Sequence, residues 1–470
     1  MWISIDPEAK LPMFRQVFEA LRGAILSGTL ASGFKLPSTR ELAAELGVSR
    51  NVILEAYELL MSEGYITGRS GSGTFVAEGA RLEGYAPEAP AERQQAAELT
   101  GDAVPAPGGI SFRTGRPALE FFPVKQWASA LQEVCLEASP DDLSYGDPAG
   151  APELRRVLAE HLWRTRGVVC RPERILVTNG ALQALQIIVR LLLGCGDEAV
   201  VEDPSNEDLR SVLTATGASL RLLPVDEDGL MTRELPRDGI RPKCIYVTPS
   251  HQFPMGGILP VQRRIELARY VQGRDSWIIE DDYDSEFRYD GPPVHSLQSL
   301  CPEHVIYIGT FSKTLFPSLR IGYMVLPERF VERARQIKRL SDYQTPTLEQ
   351  LALARFMGSG HLSTHVHRMK KIYKKRRAHL LQALHEQLGS GFRVWGRPAG
   401  LHLVLELETP LPPDFERHLH EHGVTAAVLP GRRLLLGYGH LAEEQLTEGV
   451  RRICSALRRG QKDLSLQALF

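Results

Sequence analysis

The sequence predicts an α/β protein that carries a small winged helix-turn-helix at its N-terminal end. Three features lead there. From about Ile110 onward, short apolar runs alternate with helical periodicities, the pattern of a mostly parallel sheet covered on both faces. Residues 1–78 show instead three helical segments followed by a hairpin composition. Between the two, residues 79–109 are dominated by Ala, Glu, Pro, Gln and Gly with no sustained apolar period, the composition of a flexible tether.

In the head, Phe14, Val17, Phe18, Leu21, Ile25 and Leu26 recur at helical spacing and predict a first amphipathic helix. Pro37 precedes Ser38-Thr39-Arg40-Glu41, a capping box in which Ser38 and Glu41 satisfy free amides at a helix start. That second helix is short, with Leu42, Ala43 and Leu46 as its apolar stripe and Gly47 where a left-handed residue is wanted. Ser49 then caps a third helix running to about Ser62, whose buried face is Val52, Ile53, Ala56, Tyr57 and Leu60, with Gly64 ending it. Tyr65-Ile66 and Thr74-Phe75-Val76 flank Arg69-Ser-Gly-Ser-Gly73, a hairpin turn.

This arrangement suits base readout, because the start of the third helix presents Ser49, Arg50 and Asn51 toward a groove. Arg pairs with guanine and Asn with adenine, while Arg69, Gly71 and Gly73 at the wing tip can approach phosphates. Ser38, Thr39 and Arg40 at the start of the second helix join the candidate DNA face. The alternative from pattern alone is a three-helix bundle used for protein contact. Residues 1–76 hold seven Lys and Arg against eight Asp and Glu, so the head is not basic overall.

In the body, the predicted strands are Ile175-Leu-Val-Thr, Ala199-Val-Val-Glu, Cys244-Ile-Tyr-Val-Thr, Trp277-Ile-Ile-Glu-Asp, Val305-Ile-Tyr-Ile-Gly and Ile321-Gly-Tyr-Met-Val-Leu. Ligands of such folds sit at the C-terminal ends of strands, and four of those ends carry suggestive residues. After Val177-Thr-Asn, Gly180 turns the chain into a helix and leaves the amides of Gly180, Ala181 and Leu182 free for a phosphate, although any such turn offers amides. Glu280-Asp-Asp-Tyr-Asp-Ser-Glu286 puts acids together that are costly to bury, so at least one should meet a cation or be held for function. A solvated acidic loop or a divalent-metal site are the alternatives there. Gly309-Thr-Phe-Ser-Lys-Thr314 is no Walker loop, but it places Lys313 at a strand end where desolvation lowers its pKa and makes it an amine nucleophile. Thr310, Ser312 and Arg320 are phosphate donors beside it. Pro249-Ser-His-Gln-Phe-Pro-Met-Gly256 brings donors and a turn to the fourth end. A phosphate cradle, a buried carboxylate and an activated lysine have one economical joint explanation in pyridoxal phosphate. From about Gln344, long helices followed by a Pro/Gly-broken α+β segment near Phe392 to Gly439 predict a smaller final domain, so that the large part spans about 120–343 and the small part about 344–470.

Composition narrows the class. A chain of 470 residues suggests roughly two to four domains of about 100 to 200 residues each. Its net charge of −2 leaves any nucleic-acid case to local motifs. The six cysteines are scattered, without CxxC pairs or zinc spacing, so no metal is expected. Ile187 to Leu193, the longest apolar stretch, is broken by Arg190 and far short of the roughly 20 residues that span a bilayer, and Met1 to Phe14 lack the apolar run of a signal peptide. A cytoplasmic protein is expected.

Two resemblances join these observations. Leu36-Pro-Ser-Thr-Arg-Glu-Leu-Ala-Ala-Glu-Leu-Gly-Val-Ser-Arg-Asn-Val, with Ala56-Tyr-Glu-Leu and Gly71-Ser-Gly-Thr-Phe-Val, resembles the DNA-binding domain of GntR-type bacterial regulators. Leu143-Ser-Tyr-Gly-Asp-Pro-Ala-Gly, Thr248-Pro-Ser-His-Gln-Phe-Pro, Ile279-Glu-Asp-Asp-Tyr-Asp-Ser-Glu-Phe-Arg-Tyr-Asp-Gly and Gly309-Thr-Phe-Ser-Lys-Thr-Leu-Phe-Pro are similar to the aminotransferase-like half of MocR/GabR-type regulators, in the same order of halves.

The resemblance implies a fold-type I aminotransferase-like body that binds pyridoxal 5'-phosphate. It implies that Lys313 carries the cofactor as a Schiff base, that Asp281 pairs with the pyridine nitrogen and that Tyr283 bonds the ring hydroxyl. It further implies that Ser312, Thr310, Arg320 and the amides of Gly180, Ala181 and Leu182 hold the phosphate. Tyr145 matches a position that reaches the phosphate of the other subunit, which implies a homodimer. Three positions depart from the pattern: Asn206 stands where a ring-stacking tyrosine is common, Leu182 where a polar residue is common, and Met255 where Thr or Ser is frequent. Arg432 and Arg433 are the late-chain candidates for an effector carboxylate, although Leu434-Leu-Leu-Gly437 beside them is apolar.

The implied function is a transcription regulator that binds an operator through its head and senses an amino acid, an amine or a B6 vitamer through Schiff-base exchange at Lys313. The rivals are an aminotransferase with an accessory DNA-binding head and a repressor whose pocket has lost its cofactor. One further patch reads two ways: Arg355, Arg368, Lys370, Lys371, Lys374, Lys375, Arg376 and Arg377 above the stripe Val366, Met369, Tyr373 and Leu380 form either a solvated helix face or a surface for DNA or dimer contacts.

Overall fold

Helix α1 (Met13–Leu26) buries Val17, Phe18, Leu21 and Ile25 against α3 (Arg50–Ser62), and α2 (Thr39–Leu46) closes the head core with Leu42 and Ala43. The computed structural model describes residues 5, 6, 9, 11–69, 71–82, 108–237, 241–412 and 414–467. The predicted capping box is formed: Ser38 Oγ accepts from Glu41 N at 3.3 Å and Ser38 N donates to Glu41 Oε2 at 2.8 Å. Gly47 adopts the left-handed conformation with φ 67°. Ser49 stands at the cap position of α3, but its side chain makes no cap hydrogen bond, which corrects the expected capping role and leaves the hydroxyl outward. Strands β1 (Ile66–Arg69) and β2 (Gly73–Val76) pair antiparallel from Ile66↔Val76 to Arg69↔Gly73 and make the wing.

Residues fall into two compact units, Met1–Ala103 and Val104–Phe470. Most of the predicted tether lies outside the described residues. Its first residues fold back on the head, where Leu82 N donates to Leu26 O at 3.0 Å.

The body is built on an eight-stranded sheet of β3 (Ile175–Thr178), β4 (Glu198–Asp203), β5 (Ser219–Asp226), β6 (Gly229–Leu230), β7 (Cys244–Val247), β8 (Trp277–Asp282), β9 (Val305–Thr310) and β10 (Gly322–Val325). In space the order is β3, β10, β9, β8, β7, β4, β5, β6. The run β9-β8-β7-β4-β5 is parallel, as expected, whereas β10 runs antiparallel to both β9 and β3. β10 follows β9 after a short connection that holds Lys313, too few residues for the crossover a parallel neighbour needs. The sequence pattern also passed over β5. It lies beside only the two-residue β6 at the sheet margin, its side chains alternate poorly, and Pro224 interrupts it, so no burial signal marks it.

A four-stranded antiparallel sheet, Phe392–Trp395, His402–Leu407, Arg433–Gly437 and Ala427–Leu429, forms the smaller domain with the helices His361–Leu388 and Glu443–Gln467. Its core includes Met369, Tyr373 and Leu380, the stripe read from sequence. Above that stripe the cations are largely engaged: Arg376 pairs with Glu120 at 2.6 Å, Lys375 with Glu443 at 2.7 Å, and Arg355 with Glu133 and Glu137. Ile110–Ser111 pairs in parallel with Val424–Thr425, so the chain starts the body in the small domain and then crosses to the large one. That crossing carries Gly115 over the strand ends, where its carbonyl accepts from Lys313 Nζ at 2.9 Å.

Candidate functional site

The C-terminal ends of the parallel strands open into a cavity of about 440 Å³. Its wall includes Thr114, Gly115, Ala181, Leu182, Glu202, Asn206, Tyr246, Thr248, Asp281, Tyr283, Thr310, Ser312, Lys313, Arg320 and His402. The peptide ends that converge here are those the sequence marked, because every parallel strand delivers its last residue to the same side.

The acidic run after β8 is divided by the strand's alternation. Glu280 points to one face, where its carboxylate accepts the amides of Leu297 and Gln298, both at 2.8 Å. Asp282 is buried against Arg166 at 2.7 Å and also accepts from the Tyr307 hydroxyl. Asp284 accepts from His251 at 2.9 Å. Asp281 alone faces the cavity. One of its oxygens accepts from the Tyr246 hydroxyl, and the other, Oδ1, is buried without a hydrogen-bond partner. An orphan carboxylate oxygen in a cavity wall is a place for an N–H from outside the chain.

Across the cavity, burial pushes the Lys313 ammonium below its ordinary pKa, against the pull of Asp284 and Asp281. At the far end, Gly180 (φ 87°) turns β3 into the helix Ala181–Leu192, whose first amides have no intrahelical acceptor. Arg320, itself left-handed with φ 52°, lays its guanidinium over this turn and donates to Asn179 O at 2.9 Å. A Cβ at Gly180 would come within 2.8 Å of that guanidinium, and one at Gly322 within 2.8 Å of the Gly180 backbone, so both glycines are required by close approach. Thr310 Oγ1 and Ser312 Oγ lie 3.0 Å apart beside them. Backbone amides, hydroxyls and a guanidinium around one small volume form an anion cradle.

Two family models match this chain: "Bacterial regulatory proteins, gntR family" over residues 14–76 and "Aminotransferase class I and II" over residues 108–457. Among curated proteins it is 35% identical over 470 residues to the probable rhizopine catabolism regulatory protein MocR of Rhizobium meliloti, covering 96% of this chain and 95% of that one. The chain belongs to the MocR/GabR-type transcriptional regulators. Another relative, the pyridoxine biosynthesis transcriptional regulator PdxR of Corynebacterium glutamicum, is 33% identical over 410 residues, 87% of this chain and 86% of that protein. Among solved structures, the kynurenine aminotransferase of Pyrococcus horikoshii, in complex with PMP, matches with a TM-score of 0.70 at 27% identity, over 75% of this chain and 92% of that one.

The body of this MocR-type regulator thus has the aminotransferase fold, and its cofactor is pyridoxal phosphate. The residues present fit it: a desolvated amine, an anion cradle and an orphan carboxylate oxygen line one cavity. Of the positions marked in the sequence, Lys313, Asp281, Tyr283, Thr310, Ser312, Arg320, Ala181 and Leu182 line it, and Gly180 shapes its cradle. Asn206 lines it too, but its side chain is used locally, accepting from Asp208 N at 2.8 Å as the cap of the helix Glu207–Thr214.

Two effector candidates are not brought here. Arg433 is drawn by its strand partner Glu406 (3.2 Å) and lies over the Trp395 ring at 4.5 Å, while Arg432, in a turn with φ 67°, donates to Glu408 O. Tyr145 does not line the cavity of its own chain. It is 81% exposed, with its ring 5.1 Å from that of Tyr343.

Residue-by-residue reading missed Gly115, Tyr246 and His402, which reach the cavity from a crossing segment, from the middle of an apolar strand and from the small domain. Only Tyr246 had a signal: a hydroxyl inside the buried run Cys244-Ile-Tyr-Val needs a partner.

In the head, Arg40, Ser49, Arg50, Asn51, Arg69, Gly71 and Gly73 are exposed, together with Ser38, and Thr39 is half-buried. Arg50 Nε lies 3.4 Å from Thr39 Oγ1, which brings the starts of α2 and α3 together as one face, and the Arg69 guanidinium lies 4.9 Å over the Phe75 ring on the wing.

The buried carboxylates give a pH signature. Burial pushes Glu202, Glu280 and Glu286 each up to about 7. A raised folded pKa gives stability that is lost as pH rises through it. Burial holds His161 at about 4 and His402 at about 3, which opposes this trend only below the ordinary histidine value. Between about pH 6.5 and 8 the carboxylates therefore decide. The melting temperature of the cofactor-free protein is expected to fall across that interval, and a scanning-calorimetry series in buffers of matched ionic strength checks it.

Proposed function

We propose that this regulator binds its operator through the exposed starts of α2 and α3 and senses an amine-bearing ligand or a B6 vitamer at Lys313. Bound pyridoxal phosphate supplies an aldehyde that the Lys313 amine and an effector amine can occupy in turn. The observation that carries this reading is the cavity that joins a desolvated lysine to a carboxylate with a free buried oxygen. Lys313 serves as the resident amine, Asp281 Oδ1 holds a proton on the pyridine nitrogen, and Arg320, Ser312, Thr310 and the Gly180 turn anchor the phosphate. Among the described residues lining the cavity, Lys313 and Arg320 are the lysines and arginines. With Arg320 given to the phosphate, an amine or a vitamer suits the cavity better than an effector that needs a second anion site.

Sensing in place of turnover is supported by Asn206, a helix cap where a stacking ring would hold the cofactor for catalysis. We further propose a homodimer in which Tyr145, exposed on its own subunit, reaches the partner's site. An effector that displaces Lys313 then changes which arrangement of the dimer is populated and how it holds two operator half-sites. The test is retardation of DNA from upstream of the neighbouring genes, titrated with pyridoxal phosphate and with candidate amines. An affinity change with negligible transamination supports sensing, and sustained turnover with a keto-acid acceptor at an enzyme-like rate overturns it.

For the head, Arg50→Ala is expected to weaken operator binding by about 1 to 3 kcal/mol, the worth of one side chain reading a base. Fluorescence anisotropy at fixed salt measures it, and an unchanged affinity removes Arg50 from the readout.

A further inference from the structure

Behind the Tyr283 phenol lies a chain of buried groups that the reading above does not use. Tyr283 donates its hydroxyl proton to the backbone carbonyl of His251 at 2.9 Å, and the phenol oxygen lies 3.1 Å from His251 Nδ1. The same Nδ1 is 2.9 Å from Asp284 Oδ2. A carboxylate only accepts, so Nδ1 carries the proton and shares it between Asp284 and the phenol oxygen. His251 and Asp284 side chains are each only 2% exposed, and the second Asp284 oxygen has no hydrogen-bond partner, so this negative charge is held close to the imidazole.

The small domain closes over this pair. Gly400 has φ 67°, and a Cβ there would overlap the His251 ring and come within 2.5 Å of Asp284 Oδ2. His402, on the strand that follows, places its ring 4.9 Å from that of His251, and its Nε2 lies 3.0 Å from Pro254 O. His251, Asp284 and His402 offer ligand atoms within 4.8 Å of one another, but the direct His251–Asp284 hydrogen bond fills the space an ion would need, so the cluster is a hydrogen-bond chain.

We propose that His251 and Asp284 are a positioning pair that sets how strongly Tyr283 donates into the cavity. An Nδ1–H bond to the phenol oxygen polarises the O–H, as hydrogen bonds in series do. Tyr283 is thereby a firmer donor to the oxygen anion on the cofactor ring, and through it the pair lowers the proton affinity of the cofactor's lysine linkage. This rests on the proposal that the cofactor is carried on Lys313. Burial keeps the Tyr283 phenol protonated at all working pH values. The charged and titratable groups that face it are Asp281 and Asp284 from its own segment, Glu202 and Tyr246 from neighbouring strands, and His251, with His402 stacked on His251 from the small domain. Asp281, pushed up to about 6, and Glu202, pushed up to about 7, change charge in the relevant range, so variants must be compared within one background.

The experiment is a pH titration of the visible absorbance of the cofactor-loaded full chain. His251→Ala is expected to raise the midpoint by about one pH unit, equivalent to about a tenfold change in proton affinity. Tyr283→Phe is expected to raise it further, and the double variant to match Tyr283→Phe alone. Because the backbone carbonyl contact survives in His251→Ala, the shift isolates the imidazole. A midpoint left in place, or one that adds to that of Tyr283→Phe, overturns the pairing. Should His251→Ala fail to fold, Asp284→Asn keeps the shape and is expected to show a smaller rise, and no rise there also overturns it. A wild-type protein with no visible band would remove the cofactor reading and this inference together, whereas a band with an unmoved midpoint defeats the inference alone.

Discussion

Lys313→Ala is expected to give a folded protein without a visible cofactor band, with no adduct trapped by borohydride, and with its operator affinity largely kept. The amine at 313 is buried in the wall of the cavity and held by the Gly115 carbonyl at 2.9 Å. Desolvation has already lowered its proton affinity, which makes it the nucleophile. Alanine removes the covalent bond outright, and the cradle at Gly180 and Arg320 then holds only what phosphate contacts can retain. The base contacts lie in a separate compact unit, Met1–Ala103, so they survive. Mass spectrometry after borohydride treatment measures the adduct, and gel retardation measures the head. An adduct on another lysine would move the site, and total loss of DNA binding with an intact fold would contradict the division of labour.

The second large effect is on stability. Arg166→Met is expected to cost about 3 to 5 kcal/mol, the penalty of stranding a buried charge. Arg166 and Asp282 are exposed by only 3% and 1%, paired at 2.7 Å, and Arg166 also donates to Ser250 Oγ at 2.5 Å and to Val294 O. Without the guanidinium, Asp282 stays beside Glu280 and Glu286, with only the Tyr307 hydroxyl for company. Urea unfolding of the cofactor-free protein measures the loss. Arg166→Met/Asp282→Leu is expected to recover most of it, since apolar groups can replace a buried ion pair at little net cost. A single variant within about 1 kcal/mol of wild type would show that water reaches Asp282, and the pair would then count as an exposed one.

The two predictions turn on neighbours in the same acidic run, and that run shows how far sequence carries. Glu280-Asp-Asp-Tyr-Asp-Ser-Glu286 announced that some acid must meet a cation, and Asp282 does meet Arg166. Which acid it would be was hidden, because Arg166 lies 116 positions away, at the end of the helix Pro152–Arg166, and no local spacing links them. Asp281 was assigned to the pyridine nitrogen through a resemblance. Its free Oδ1 is a property of the folded cavity. Arg432 and Arg433 failed for a similar reason: their chemistry suits a carboxylate, but Glu406 on the paired strand takes Arg433 first. In the head, the capping box and the apolar spacings were readable because both ends of each interaction sit within four residues.

By itself, the sequence determined what depends on neighbours along the chain: helix starts in the head, the parallel strands of the body, and the residues at the strand ends, including Lys313 and Asp281. Period and spacing act over one or two turns, so they are written locally. Only the tertiary structure decided which of those residues share a cavity, that β10 runs antiparallel, and that Gly115 crosses over Lys313. It also joined Tyr283 to His251 and Asp284 beneath the Gly400 loop. Those outcomes depend on burial and on partners brought together by the sheet, and a charge or a hydroxyl acquires its role only from the groups that desolvate it.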